Sequence, residues 1–342
     1  MKFFRFLLFP FAILYDLITI IRNFLFDVEV FKSTSFELPV IVVGNLSVGG
    51  TGKTPQIEYL IRILKDRSQV AVLSRGYKRE TKGFKLLNSR HSALDVGDEP
   101  LQYFKKFKGI DVAVDANRVE GIQKLINGQS PEIILLDDAY QHRKVKGSFY
   151  ILLTKFDDLF TDDFLLPVGN LRESRAGAHR ADVLVVTKCP VDLNIEQQEE
   201  IKRKLKKFDK RVFFTTISYG NILSKDKEII IDDLKDYNVL LITGIANPDS
   251  LLDILDIKKI KFKHLKYADH HHFSSTEIEK IKQEFVAIAS NKKIIVTTEK
   301  DYIRLENRIN NLFYIEIETR FLGVQNRGFD QIINAHIKQS KS

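Results

Sequence analysis

The stretch that decides the fold is VVGNLSVGGTGKTP, from Val42 to Pro55. It departs from the phosphate-binding pattern G-x-x-x-x-G-K-[ST] at the first glycine, where Ser47 stands. A triphosphate needs backbone N–H groups turned towards it, and Gly49, Gly50 and Gly52 allow the backbone to wrap closely around phosphate oxygens. The stretch therefore still predicts a phosphate-binding loop.

The residues on either side support this interpretation. Lys53 supplies a mobile positive charge, Thr54 supplies a hydroxyl that can face Mg²⁺, and Pro55 suits the first turn of a helix. The preceding LPVIVVGN predicts a buried parallel strand, and TPQIEYLIRILKD spaces its apolar residues as a helix does. A helix N-terminus would thus face the phosphates. The alternative is an ordinary glycine-rich turn between strand and helix.

Composition bounds the possible classes of protein. The 342 residues suffice for two domains, and the single cysteine excludes an internal disulfide framework and a multi-cysteine zinc site, which favours a reducing cytosol. The net charge of +8 favours an acidic partner: nucleic acid, anionic lipid or a phosphorylated substrate. Charge alone does not choose among these.

The N-terminal segment 1–26 is crowded with Phe, Leu and Ile. It has no small-residue cleavage site typical of a signal peptide, and its apolar run is short and interrupted for a spanning helix. We expect a membrane-associated helix lying in the interface, with Lys2, Arg5 and Arg22 at anionic headgroups. A buried core helix is the alternative.

Beyond this segment, apolar runs alternate with helical patterns, which predicts an α/β fold with a parallel sheet covered by helices. We expect a P-loop NTPase-like domain over residues 27–219 and a second, smaller α/β domain over residues 220–342 that closes the active-site cleft. Ligands of such sheets bind at the carboxyl ends of the strands.

Paired carboxylates follow one predicted strand, because PEIILLDDAYQHR places Asp137 and Asp138 directly after an apolar run. Carboxylates there can hold Mg²⁺ against the phosphates. They could instead only solvate a turn. Gln141, His142 and Arg143 follow and could line the same cleft.

Two predicted helix starts carry charged residues. Asp98 could be a general base and Glu99 a metal partner, but Asp98 before Glu-Pro is also a good N-cap. Asn117 and Glu120 suit an N-cap and its N3 acid, which places Arg118 in the first turn. A cation opposes the helix dipole there, and a nearby anion would remove that penalty.

The segment YADHHHFSSTEIEKI places three histidines before a helix that begins with a Ser274 and Glu277 capping box. Asp269 could orient His270 in an acid–base relay, whereas His270 and His272 could share a metal. Surface histidines in a loop are the third possibility.

Two further segments are less specific. The arginine-rich GNLRESRAGAHR could bind phosphate or form a solvated helix, and VTTEKDYIRL could bring Lys300 and Asp301 to a strand end or form a capped helix start.

The ordered set of these motifs resembles the tetraacyldisaccharide 4'-kinase family, the lipid A 4'-kinases of Gram-negative bacteria. The resemblance runs over nearly the whole chain, through GNLSVGGTGKTP, SRGY, GDEP, DANR, LLDDAYQHR, LRES, TGIANP, DHHHF and TEKD. Ser47 fits the loop form of that family. Ala139 stands where the family usually has glycine, which questions the local turn geometry, and Tyr140 replaces the customary Phe.

The resemblance implies transfer of the γ-phosphoryl group of ATP to the 4'-hydroxyl of a membrane-embedded, acylated glucosamine disaccharide 1-phosphate, with Mg²⁺, at the cytoplasmic face of the bacterial inner membrane. It implies Asp98 as base, His270 as its partner and Lys53 at the triphosphate. The implied metal or metal-water contacts are Thr54, Glu99, Asp138 and Glu173. The implied nucleotide, phosphate and sugar contacts are Asn45, Ser47, Gly49, Gly50, Thr51, Gly52, Lys53, Thr54, Arg118, Gln141, His142 and Arg172. No obligate protein partner is inferred.

Two other classes compete with this interpretation. A membrane-associated P-loop ATPase or GTPase switch would hydrolyse nucleotide without a lipid acceptor, although Pro190 stands where the guanine-reading element of GTPases needs Asp. A nucleic-acid-binding protein would account for the charge of +8, but no recognisable reader motif is present, so we expect no nucleic-acid partner.

Overall fold

The computed structural model describes residues 6–341. Its α-helices are α1 (Phe9–Asp27), α2 (Lys53–Leu64), α3 (Ala93–Val96), α4 (Asp98–Lys106), α5 (Arg118–Gln129), α6 (Ile195–Leu205), α7 (Asp249–Ile257), α8 (Ser275–Val286), α9 (Glu299–Leu305) and α10 (Gln325–Lys341). Short 3-10 helices cover Phe6–Leu8, Arg175–Arg180, Lys206–Phe208 and Ile231–Asp236.

The strands are β1 (Val40–Asn45), β2 (Val70–Ser74), β3 (Lys85–Leu86), β4 (Asp111–Val114), β5 (Ile133–Asp137), β6 (Phe149–Lys155), β7 (Val183–Thr187), β8 (Arg211–Leu223), β9 (Glu228–Ile229), β10 (Asn238–Thr243), β11 (Lys261–Lys266), β12 (Lys293–Thr298) and β13 (Leu312–Phe321).

These strands form one continuous sheet in the order β11-β10-β12-β13-β8-β7-β6-β1-β5-β2-β4-β3, with β9 paired to β8. Most neighbours run parallel, and the antiparallel pairs are β3 with β4, β8 with β9, and β8 with β13. The central strands β1, β2 and β5 are buried along their whole length, as expected for strands covered by helices on both faces. The predicted fold class is confirmed.

The long strand β8 joins the two halves of the sheet. Residues 211–214 pair with β7, whereas residues 215–223 pair with β13. The predicted boundary before Gly220 therefore falls inside a strand. The last helix also returns to the first half, because Phe329 and Ile333 of α10 pack in the same apolar core as Ile41 of β1. The predicted range 220–342 thus contains a helix that completes the core of the first half.

Helix α1 lies against the first half by one face only. Ala12, Thr19 and Phe26 are buried, whereas most of its large apolar side chains, such as Phe11 at 62% and Phe24 at 59%, are exposed. By length and composition α1 could cross a membrane.

The side chain of Arg22 turns towards the protein and donates to the Gln141 carbonyl, 2.7 Å away. Its expected place at the headgroups is therefore wrong, because the helix presents that position to the segment that follows β5. Lys2 and Arg5 lie outside the described residues.

Candidate active site

The glycine loop joins β1 to α2, as the sequence predicts. Gly49 and Gly52 have φ of 103° and 81°, and Gly52 caps the N-terminus of α2. Ser47 has no such left-handed backbone; it lies in an isolated antiparallel bridge with Leu171. The absence of the first glycine is therefore tolerated, because the backbone at position 47 is extended and any residue can adopt it.

Charged side chains from three segments meet beside this loop. The Nζ of Lys53 lies 3.7 Å from Oδ1 of Asp138, and Nη2 of Arg172 donates to the same oxygen at 2.9 Å. Burial by itself would raise the pKa of Asp138, but Lys53 and Arg172 hold it below 3.8. Arg172 also donates to Asn45, whose Nδ2 donates to Thr51 Oγ1 at 2.7 Å. The loop is thus tied to the end of β5 through a shared polar network.

Glu173, expected as a metal or metal-water contact, forms an ion pair with Arg180. Both of its carboxylate oxygens accept from Nη2 of Arg180, at 3.0 and 2.8 Å, and the residue is almost fully buried. Gln141 donates from Nε2 both to Glu173 and to the Asn45 carbonyl, each at 2.8 Å. Because the guanidinium neutralises the carboxylate, Glu173 acts in this structure to hold Gln141 against the end of β1.

Asp137, the last residue of β5, accepts a hydrogen bond from Ser74 Oγ at 3.3 Å and lies near the carboxylates of Asp138 and Glu99. Burial, followed by the charges of Asp138 and Glu99, raises the pKa of Asp137 to about 7. Within residues 6–341 no group of three or more His, Cys, Asp or Glu side chains is arranged to hold a metal. The donors available, with the Thr54 hydroxyl, are nevertheless hard oxygens that suit Mg²⁺, an ion that takes only one or two protein carboxylates and completes its shell with phosphates and water. The residues fit a magnesium-triphosphate site.

Arg118 and His142 lie beside these carboxylates. Asn117 caps α5 as predicted, and Arg118 in the first turn is 2% exposed and donates to the Asp137 carbonyl at 3.4 Å. Burial lowers the pKa of Arg118 to about 10, opposed by Asp137 and Asp138, which are the anions that its position requires. Burial and nearby cations lower the pKa of His142 to about 4, so its imidazole is neutral at pH 7.

Ala139 and Tyr140 fit without distortion. The residue with positive φ in this turn is Asp138, at 47°, and not Ala139, so glycine is not needed at position 139. The hydroxyl of Tyr140 donates to the Gly177 carbonyl at 2.8 Å, and the Arg180 guanidinium lies 4.7 Å from the ring centre. The doubt about local turn geometry is removed.

Asp98 joins the two halves of the molecule. It is the first residue of α4, with Gly97 at the N-cap position, so the N-cap alternative for Asp98 is wrong. Arg304 donates from Nε to Oδ1 at 2.8 Å and from Nη2 to Oδ2, and Nδ1 of His270 lies 3.0 Å from Oδ2. A carboxylate offers about four acceptor positions, so these three donors leave one of them, on Oδ1.

The charge state of Asp98 follows from these partners. Burial by itself would raise its pKa, but hydrogen bonds from His270 and Arg304 hold it below 3.8. The carboxylate is therefore ionised at neutral pH and able to accept a proton.

Lys300 determines how His270 is oriented. Its Nζ lies 2.7 Å from Nε2, and an ammonium group only donates, so Nε2 accepts and Nδ1 carries the proton towards Asp98. The predicted pairing of His270 with Asp269 is wrong, because Asp269 lies 3.7 Å from Lys300 instead. His271 pairs with Glu277 at 2.9 Å. The backbone of His270 is left-handed, with φ of 57°, so the extended segment required for the metal alternative does not form.

Arg304 was not anticipated from the sequence. Thr298 caps α9, so Lys300 and Arg304 stand four residues apart on a capped helix, as VTTEKDYIRL allowed. That i, i+4 spacing places both cations on one helix face and was the available signal. Nothing in the sequence indicated that this face meets Asp98.

A buried ion cluster, formed by Glu58, Gln102, Lys106 and Glu299, connects the helices that carry Asp98 and Lys300. Lys106 Nζ lies 2.8 Å from Glu58 and 2.5 Å from Glu299, and Gln102 Nε2 donates to both carboxylates at 2.8 and 2.9 Å. Burial would lower the pKa of Lys106, but the two carboxylates raise it above 10.5. The cluster ties the glycine-loop helix α2 to α4, which carries Asp98, and to α9, which carries Lys300.

Glu299 makes folding stability depend on pH. Burial and then the charge of Glu58 raise its pKa above the ordinary 4.5, so the native state holds a proton that the unfolded chain releases. The free energy of unfolding from this group therefore decreases as pH rises above 4.5. We expect Glu299→Gln to reduce the fall in the free energy of unfolding, measured by urea denaturation, between about pH 5 and 8. An unchanged slope would contradict a raised pKa at Glu299, and exposed Glu279→Gln is the matched control.

The fold and these residues define the class: a phosphate-loop protein that binds a nucleoside triphosphate against strand-end carboxylates. A family described as tetraacyldisaccharide-1-P 4'-kinase, LpxK, matches residues 4–338. The chain belongs to this family, and it is therefore a kinase that acts on an alcohol group. The predicted family and enzyme class are confirmed.

Individual relatives agree along the full chain. It is 52% identical to tetraacyldisaccharide 4'-kinase of Flavobacterium johnsoniae over 99% of both chains, and 41% identical to that of Bacteroides thetaiotaomicron over 97% and 93%. The structure of LpxK from Aquifex aeolicus, described as a complex with ATP, has a TM-score of 0.81 at 32% identity and covers 98% of this chain and 99% of its own. The likeness extends over both halves of the sheet.

Proposed function

We propose that this chain transfers the γ-phosphoryl group of ATP to the 4'-hydroxyl of a tetraacylated glucosamine disaccharide 1-phosphate in lipid A biosynthesis. The observation that carries this proposal is the contact between Asp98 and His270, 3.0 Å apart, in a chain whose glycine loop belongs to the 4'-kinase family. A nucleotide switch does not need such an acid–base pair. A kinase that activates a hydroxyl does.

The nucleotide is held by the glycine loop in this proposal. Backbone N–H groups of residues 49–52 surround the phosphates at the N-terminus of α2, and Lys53 supplies the charge. Thr54 and Asp138 would hold Mg²⁺, with Asp137 and Glu99 close by. When bound, the ion neutralises phosphate charge. Lys53, now 3.7 Å from Asp138, can turn to the triphosphate because this ion pair is partly exposed.

Asp98 takes the proton of the acceptor hydroxyl on its remaining Oδ1 position. His270 and Arg304 keep the carboxylate oriented, and Lys300 keeps the imidazole in the tautomer that donates to it. The low pKa makes Asp98 a weak base. That suffices because the loose transition state of phosphoryl transfer needs correct positioning and charge stabilisation more than a strongly activated nucleophile.

The acceptor stays in the membrane, and α1 brings the site to it. We propose that the exposed apolar face of α1 lies in the interface at the cytoplasmic side of the inner membrane, as a peripheral or monotopic attachment. Leu14, Leu17, Ile18 and Ile21 are each about half exposed and form part of that face. Its protein-facing side is already occupied by hydrogen bonds to the segments that follow β5 and precede β7.

The test is transfer of labelled γ-phosphate from ATP to purified tetraacyl disaccharide 1-phosphate in mixed micelles. The intact protein should form lipid product, and Lys53→Ala should lower kcat by about 100-fold or more, because a charge aimed at the transferred group is lost. Exposed Lys282→Ala is the matched control and should leave the rate unchanged. ATP hydrolysis without lipid product would instead favour a switch ATPase.

A further inference from the structure

The side of α1 that faces the protein carries polar residues which contact the nucleotide site. Tyr15, Thr19, Arg22, Asn23 and Phe26 recur at helical spacing on this face. A helix that served only as an apolar anchor would need no hydrogen bonds there. Three of the five nevertheless donate to residues that follow β5 or precede β7.

Each of these hydrogen bonds ends on a residue of the nucleotide site. Tyr15 donates to the Arg172 carbonyl at 2.8 Å, and Asn23 Nδ2 donates to Glu173 Oε2 at 3.2 Å. Arg22 donates to the Gln141 carbonyl at 2.7 Å. The contacts therefore fix the backbone of positions 141 and 172 and the carboxylate of position 173.

The contacted residues are connected to the glycine loop by further hydrogen bonds. Arg172 donates to Asp138 and to Asn45, and Gln141 donates to the Asn45 carbonyl. Asn45 in turn donates to Thr51 inside the loop. Only two side chains therefore separate α1 from the groups that surround the phosphates.

Helix α1 also accepts hydrogen bonds from the segment that follows β5. Arg143 donates to the Asn23 carbonyl at 2.8 Å and to Asp27 at 2.6 Å. Arg143 and Arg22 both lie over the ring of Phe26, at 5.2 and 5.6 Å from its centre. A shift of α1 would therefore disturb the segment 141–143 directly.

We propose that Tyr15, Arg22 and Asn23 are positioning residues of the nucleotide site, so that membrane association of the apolar face of α1 and binding of Mg·ATP strengthen each other. The proposal rests on the ATP site of the proposed function, but not on the identity of the acceptor. Coupling between two sites is reciprocal, so vesicles should tighten ATP binding and ATP should tighten vesicle binding.

The experiment measures the Kd of Mg·ATP for the full chain, with and without vesicles of phosphatidylethanolamine and phosphatidylglycerol and without acceptor lipid. For the intact protein we expect vesicles to lower the Kd about fivefold, the lower end of typical coupling. The double variant Arg22→Leu/Asn23→Leu should raise the vesicle-free Kd about tenfold and abolish the vesicle effect, for a loss of about 1.4 kcal/mol. Arg22→Lys, which keeps a donor, should retain most of the ATP affinity that Arg22→Leu loses.

The control is Ile18→Ser on the exposed face, which should weaken vesicle binding and leave the vesicle-free Kd unchanged. Tyr15→Phe removes one hydroxyl and keeps the ring, so it tests the separate contact with the Arg172 carbonyl if the double variant fails to fold. Unchanged ATP affinity in folded Tyr15→Phe and Arg22→Leu, or no vesicle effect in the intact protein, would overturn the proposal. Failure of lipid phosphorylation would overturn the proposed acceptor instead, since this measurement contains none.

Discussion

Asp98→Asn is expected to lower kcat for lipid phosphorylation by about a thousandfold, within the range that general base catalysis contributes. The amide has nearly the same shape but carries no charge and cannot take the hydroxyl proton. It also places an NH₂ group against Arg304 and His270, which both donate to the carboxylate in this structure. The measurement is single-turnover transfer from labelled ATP in mixed micelles, at saturating ATP and lipid.

The loss should be confined to the chemical step. Because Asp98 is bonded to His270 and Arg304 and not to the glycine loop, the Kd of Mg·ATP should remain within about twofold of its value for the intact protein. Asp232→Asn, which alters an exposed carboxylate paired with Lys258, is the matched control and should keep full activity. A variant of Asp98 that retained more than a tenth of the rate would exclude this residue as the base.

Lys106→Met is expected to lower the free energy of unfolding by about 3–5 kcal/mol, the usual result when one partner of a buried ion pair is removed. Methionine fills similar space, so the loss comes from the Glu58 and Glu299 side chains, which lose the cation between them; Glu58 keeps only the longer ion pair with Arg62, at 3.5 Å. Both side chains are nearly inaccessible to water. The measurement is equilibrium denaturation by urea at pH 7.

The neighbouring lysine supplies the control. Lys105 pairs with Glu306 but is about a third exposed, so Lys105→Met should cost no more than about 1 kcal/mol. Adding Glu299→Gln to Lys106→Met should recover part of the loss, because the charge of Glu58 then no longer faces a second acidic side chain. Equal losses for the two lysine variants would show that the buried ion cluster contributes nothing beyond ordinary side-chain packing.

The sequence by itself determined the parts of this protein that depend on neighbours along the chain. The glycine loop, its flanking strand and helix, the caps at Asn117 and Ser274, and the alternation of strands and helices are local patterns whose cause lies within a few residues. The order of its motifs also determined the family. These features were predicted because local hydrogen bonding and apolar periodicity can be read directly from spacing.

Only the tertiary structure decided which distant groups meet. By its spacing Asp98 could equally be a base or a helix cap, whereas the fold brings His270 and Arg304, 172 and 206 residues away, to its carboxylate, which supports the proposed base. Likewise, the structure shows that Glu173 accepts hydrogen bonds from both Arg180 and Gln141. Spacing along the chain could not decide these roles, since a carboxylate takes its function from the charges that folding brings to it.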